Sequence, residues 1–163
     1  MTRSNPLRII EDSELVPFWG ELHGQSEETI GTNSIYDYFA FARDKAGLDV
    51  IVHQGNDFQI TNEFWEKIQS MTQQFLDEGE LVTFPGYEWS GNTGLGGDRN
   101  VLFFQEGEPI RRSSHVLVPD LTDLNYDCNS SDDLFLALKE TKTIVFAHVG
   151  GRYADIQLSL IHI

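Results

Sequence analysis

The feature that most constrains this chain is the spacing of its short apolar runs. "LVPFWGEL" (15–22), "LDVIV" (48–52), "ELVTFPGYE" (80–88), "RNVLFF" (99–104) and "TIVFAHV" (143–149) are each too short for a buried helix, and most are separated by stretches with helical periodicity. Ser34 with Asp37 three residues on is a helix-start signal. Ile35, Tyr38, Phe39, Ala42 and Ala46 then recur at helical spacing, and Gly47 stands where a helix would stop, which predicts a helix over 35–46. Thr61 caps a second helix whose inner face is Phe64, Ile68, Met71 and Phe75, ending near Gly79. Ser130, Asp133, Leu134 and Leu138 open a third. Strands alternating with amphipathic helices predict an α/β fold with a mostly parallel sheet. The 163 residues suit one domain, and neither a linker nor a fixed-period repeat divides them.

The strand assignment places the chemistry. His23 follows the first strand, His53 ends the second, Glu88 ends the third and His148 ends the last, while the helices between carry no histidine. In parallel α/β folds the carboxyl ends of the strands gather on one rim, where such folds place their sites. Imidazole and carboxylate side chains on rigid strand ends are what a divalent-metal site for hydrolysis requires, with a position left open for water. Each histidine alone is more often a hydrogen-bonded strand-end residue; joint placement on one rim favours ligands. Glu88 lies in "FPGYEWSGN" between Tyr87 and Trp89, where an unpaired carboxylate would be costly. His115 falls in a polar excursion, 105–129, and is read as structural.

Charge excludes a class of partner. Eleven basic residues against 26 acidic give a formal −15, which repels phosphate backbones and argues against nucleic acid. Cys128 is the lone cysteine, so there is no disulfide framework and no zinc ribbon. No apolar run is long enough for a signal peptide or a membrane span, so a cytoplasmic protein with no membrane partner is expected. The last six residues, "LSLIHI", match the translation of a transposase adapter end, CTGTCTCTTATACACATC. A non-native tail over 158–163 is therefore expected, with 1–157 as the domain and His162 excluded as a ligand.

Other motifs fail. "GNTGLGGDRN" has the glycine density of a phosphate loop, but Gly97 and Asp98 stand where a lysine and a hydroxyl residue are needed, so it reads as a mobile loop. There is no HExxH, GxSxG or HxH, and Ser26 near His23 is a weak nucleophile pair. Arg99 and Arg152 are the cations that border the rim and would bind an anionic group, although surface pairing with the acid excess explains them equally well.

"FWGELHGQSEETIGT", "LDVIVHQGNDFQIT", "VTFPGYEWSG", "GDRNVLFF", "DCNSSDDLFLAL" and "AHVGGRYADI" together resemble an uncharacterised bacterial family, a domain of unknown function in the PHP superfamily, named for polymerase and histidinol phosphatase. The resemblance runs from Phe18 to Ile156. It implies the N-terminal portion of a distorted (β/α)7 barrel, truncated at the C-terminus, with two or three divalent metals at the strand ends and phosphoester hydrolysis as the activity. His23 matches the first histidine of the superfamily's His-x-His, with Gln25 in place of the second. Gly55 and Asn56 occupy the positions of its Asp-His pair, with Asp57 next and His53 two positions early. Glu88 and His148 match its later glutamate and histidine.

Two expectations result. One is a metal-dependent hydrolase acting on a small phosphoester or other anionic ester through metal-activated water. His23, His53, Asp57, Glu88 and His148 would be the ligands, Gln25 and Asn56 further ligands or their supports, Arg99 and Arg152 the substrate-binding residues, and zinc, manganese or iron the ion. The remaining ligands of such a site would lie downstream, so this stretch alone is expected to be inactive. The other is a scaffold of the same fold with a degenerate metal site, which Gln25, Gly55 and Asn56 favour.

Overall fold

The computed structural model describes residues 17–91 and 97–148. Strand β1 (Gly20–Gly24) leads to helix α1 (Ile35–Phe41), which continues as a wider π turn over Ala42–Ala46. Strand β2 (Val50–His53), helix α2 (Asn62–Phe75), and strands β3 (Val82–Phe84), β4 (Gly86–Trp89) and β5 (Arg99–Phe103) follow. Helix α3 (Ser131–Leu138) and strand β6 (Thr143–Ala147) complete the described chain.

The helix starts are set by their hydroxyl caps. Ser34 accepts from the Asp37 amide, Thr61 from Phe64 and Ser130 from Asp133, each satisfying an amide that has no partner inside its helix. Gly47 ends the first helical segment in the left-handed region, at φ 61°, where a β-carbon would be strained. The second helix stops at Phe75, short of the expected end; Gly79, at φ 92°, lies in the turn beyond it.

Among the described residues two three-stranded sheets result, not the expected (β/α)7 barrel portion. Strands β1, β2 and β3 are parallel in that order, and β4, β5 and β6 are antiparallel in that order. The sequence contains the reason. The connection from Trp89 to Arg99 is too short for a parallel crossover, which takes about a dozen residues or more, so β5 returns antiparallel to β4.

The expected single strand over 80–88 is broken at Pro85, which has no amide hydrogen for a ladder. Before the break the chain pairs with β2, Val50 opposite Val82; after it, an isolated parallel bridge joins Asn56 to Glu88, with the same offset of 32 residues. One extended run therefore belongs to both sheets. Gly86 is the crossing point: a β-carbon there would run into Gln54, Val52 and the Val101 carbonyl.

Ile35, Phe39, Ile51, Phe75 and Leu81 form the part of the core between the helices and the parallel sheet. Trp65, Tyr87, Trp89, Val101, Phe103 and Leu134 continue it under the antiparallel sheet. The indole N–H groups are satisfied, Trp65 by the Glu108 carbonyl at 2.9 Å and Trp89 by that of Cys128 at 3.0 Å. No helix among the described residues is long and apolar enough to cross a membrane. Arg152 and the suspected tail over 158–163 lie outside the described residues, as do 92–96 of the glycine loop.

Candidate metal centre

The rim forms by a different route from the one the alternation pattern implies. Strands β4 and β6 both run antiparallel to β5 and therefore run the same way as each other. Their carboxyl-terminal ends share one side of the sheet, with the start of β5 between them. Glu88 lies in β4, Asn100 is its cross-strand partner on β5, and His148 directly follows β6, its amide donating to the Asp98 carbonyl at 3.0 Å.

His23 arrives from the parallel sheet. Glu21 pairs with Ile51 but Gly24 pairs with His53, so β1 holds one extra residue between those pairs. A bulge of this kind re-aims a side chain, and here it falls at Leu22 and His23.

The three side chains meet. His23 Nε2 lies 3.7 Å from Glu88 Oε2, and His148 Nδ1 lies 3.2 Å from Glu88 Oε1. The two imidazoles stack with centroids 3.7 Å apart and planes 21° from parallel. One ligand atom from each residue falls within 4.8 Å of the others. Metal–ligand bonds of ~2.0–2.2 Å place opposed donors roughly 4 Å apart, so a small inward adjustment would seat an ion. Two imidazoles and a carboxylate are a donor set that zinc, manganese and iron all accept. The carboxylate is buried while the rings are partly exposed, His23 34% and His148 20% at the side chain, which leaves the solvent face open.

Two amides hold the carboxylate. Asn56 Nδ2 donates to Glu88 Oε2 at 3.0 Å and to Ser90 Oγ at 2.9 Å; Gln25 Nε2 reaches the same Oε2 at 3.3 Å. The Gln25 carbonyl oxygen accepts from Thr29 Oγ1 at 2.8 Å, so Gln25 serves Glu88 and does not present an oxygen to the cluster.

The other expected ligands are occupied elsewhere. His53 is fully buried; its Nε2 accepts from the Ser26 amide at 3.1 Å and contacts Ser26 Oγ at 2.9 Å, and its Nδ1 lies 3.3 Å from the Gly55 amide nitrogen. Burial pulls its pKa down to about 4, with Glu28 opposing weakly, so the ring is neutral and locks the turn after β1 to the end of β2. Asp57 is also fully buried. It accepts from the Ser90 amide at 2.9 Å and from the Ser113 amide, fastening the excursion to the end of β4. Burial raises its carboxyl to about 6, against those hydrogen bonds. Neither residue joins the group of three found among the described residues.

Arg99 is 1% exposed, and one of its terminal nitrogens donates to the Asp98 carbonyl at 3.0 Å. The guanidinium is therefore enclosed by protein and does not face open solvent. Ser26 is fully buried too, and its contact is with His53, not His23.

The sequence reading passed over two elements. Asn100 Oδ1 lies 2.6 Å from His23 Nδ1, and the signal was a polar residue inside the apolar run "RNVLFF". His115, read as structural, sits in a buried network whose members were not foreseen. Its Nδ1 meets Asp127 at 2.6 Å and its Nε2 meets Asp123 at 3.0 Å, while Arg112 pairs with Asp123 and donates to Asn62 Oδ1 at 2.7 Å and to the Ile60 carbonyl. Burial pushes Asp123 up, but hydrogen bonds from Arg112 and His115 outweigh it and hold the carboxyl below its usual range. No sequence periodicity in the excursion announces this cluster.

Comparison with known sequences now places the chain. A family model described as a protein of unknown function (DUF3604) matches residues 5–145. The chain belongs to that family. An uncharacterised protein of Chlamydia pneumoniae is 28% identical over 105 residues, 63% of this chain. The match covers 17% of that relative's length, so this DUF3604 chain corresponds to a small part of the longer protein.

Proposed function

We propose that this DUF3604 chain carries part of the active site of a metal-dependent hydrolase of PHP type, acting on a phosphoester or another small anionic ester. The observation that carries the reading is the convergence of His23, Glu88 and His148, drawn from both sheets, on one partly open point. The motif resemblance supports it independently. A divalent ion at this point would lower the pKa of a bound water toward neutrality and so supply a nucleophile. The protein's part is to hold three donors in place: Glu88 through the amides of Asn56 and Gln25, His148 through the sheet edge, and His23 through the β1 bulge. Because Gln25 and Asn56 turn amide N–H groups toward Glu88 Oε2, the described residues favour one ion over the two or three that the resemblance implies.

A second reading has its own support. The same amides satisfy Glu88 without any ion, as a site that has given up metal would require, and the chain would then be a binding scaffold. Titration with zinc or manganese separates the two. Binding at about 100 times Kd adds ~2.7 kcal/mol to stability, so the hydrolase reading expects a clear rise in Tm and one ion per chain by elemental analysis. No rise and no retained metal would end it. Metal-stimulated cleavage of p-nitrophenyl phosphate by the longer protein would then test the chemistry.

A further inference from the structure

We propose that Asn100 is the positioning residue of this centre, holding His23 in the one neutral form that can bind an ion; the inference rests on the metal reading above. A neutral imidazole has one N–H and one lone pair, and which nitrogen carries which is set by the partner of the other. At Nδ1 of His23 the partner is the Asn100 side-chain oxygen at 2.6 Å, a distance at which an N–H is held firmly. At Nε2 the acceptor found among the described residues is Glu88 Oε2 at 3.7 Å, too long for a hydrogen bond to retain the proton there. The proton therefore resides on Nδ1, and the Nε2 lone pair points at the space shared with Glu88 and His148.

The support behind Asn100 is rigid. It sits in the central strand of the antiparallel sheet, paired with Glu88 on one side and Phe146 on the other, and is 2% exposed. One strand thus indexes two elements of the centre: its backbone fixes Glu88 by register and its side chain fixes the tautomer of His23. His23 needs such a hold because β1 reaches the centre through a bulge and its side chain is one-third exposed. Outer partners that orient a ligating histidine are commonly worth 10–100-fold in metal affinity.

The test compares the intact chain with Asn100→Leu, which removes the acceptor, and Asn100→Asp, which keeps it. Two quantities are read: zinc affinity by competition with a chromophoric chelator, and the His23 tautomer by long-range ¹H–¹⁵N correlation in metal-free protein. The expected results are an Nδ1–H tautomer in the intact chain, zinc affinity weakened about 10–100-fold in Asn100→Leu, and both properties kept in Asn100→Asp. An Nε2–H tautomer in the intact chain overturns the proposal, as does unchanged zinc affinity in a folded Asn100→Leu. If that variant does not fold, the tautomer of the intact chain and the behaviour of Asn100→Asp decide. If the intact chain binds no zinc yet shows the Nδ1–H form, the metal reading falls while the hold of Asn100 on the ring stands.

Discussion

Two clusters among the described residues are assembled from imidazole and carboxylate, and they end in opposite states. In the excursion, His115 has a carboxylate oxygen against each ring nitrogen, and Arg112 closes the group from a fully buried position. At the sheet edges, His23 and His148 share one carboxylate, two neutral amides stand behind it, and the rings are partly open to solvent. Residue type does not separate a clasp from a candidate metal centre. What separates them is whether any nitrogen lone pair and carboxylate oxygen are left facing the same point once every protein donor has been assigned.

The comparison is broken most directly at Arg112. Its guanidinium is fully buried and reaches Asp123, Asn62 and the Ile60 carbonyl, so Arg112→Ala leaves Asp123 with His115 in place of two partners and takes both guanidinium donors from the Ile60 carbonyl. Removing one partner of a buried pair costs about 3–5 kcal/mol, and urea melts of the variant should show a loss of that size. The rise in Tm on adding zinc should survive, because the excursion clasp is a separate cluster. A loss below about 1 kcal/mol would mean that the network is surface decoration and the contrast between the clusters is false.

A next test concerns His53 and Asp57, the two buried expected ligands that joined neither cluster. His53 is held near pKa 4 by burial, below its unfolded value of about 6.5, so between these values the unfolded chain binds the extra proton and stability rises with pH. Asp57 is held near 6 by burial, above its unfolded value of about 4, so there the native chain binds the extra proton and stability falls with pH. Each effect amounts to roughly 3 kcal/mol across its window, and from about pH 4 to 6 they oppose one another. Asp57→Asn should make stability climb by about 1.4 kcal/mol per pH unit more steeply than in the intact chain, and His53→Gln should tilt it the other way by the same amount. Denaturant midpoints at several pH values check both. Parallel curves for the three proteins would show that these side chains are not buried as ionisable groups.

The sequence made some of this legible for reasons that lie in particular residues. Ser34, Thr61 and Ser130 marked the helix starts because capping is local chemistry, settled within three residues. His23, Glu88 and His148 lie together although the parallel-rim argument does not hold for β4–β6: two strands that flank a common antiparallel neighbour run the same way, and the irregular register of β1 brings His23 to them. The barrel was the wrong global inference: strand direction depends on connection length, and the short link between Trp89 and Arg99 was a visible signal outweighed by the βα rhythm. His53 and Asp57 share residue type and near position with the three residues that converge, and only burial and hydrogen-bond assignment separate them. Those quantities are tertiary, and no spacing rule carries them.

Within the centre, Glu88 should dominate. It faces both histidines at 3.2 and 3.7 Å, so Glu88→Gln removes the only anionic donor among the three. Loss of an outer partner costs 10–100-fold, and loss of a donor itself should exceed that, weakening zinc by at least about 100-fold in a competition titration. Retention of near-native affinity would move any ion away from this point and make the cluster a second clasp.

The finest test falls on Gln25, because it distinguishes a support from a ligand. Its carbonyl oxygen is engaged by Thr29 and its amide nitrogen leans on Glu88 at 3.3 Å, a long contact beside the 3.0 Å one from Asn56. If Gln25 is only a support, Gln25→Leu removes the weaker of two hydrogen bonds to one carboxylate oxygen and should lower zinc affinity by about tenfold or less, the low end for outer partners. If instead Gln25 turned its amide to offer oxygen to an ion, the loss would approach that of Glu88→Gln. Measuring the two variants side by side ranks the groups around Glu88 directly. An ordering of Glu88 far above Gln25 assigns the centre to two imidazoles and one carboxylate; equality would add a fourth donor and undo the single-ion arrangement.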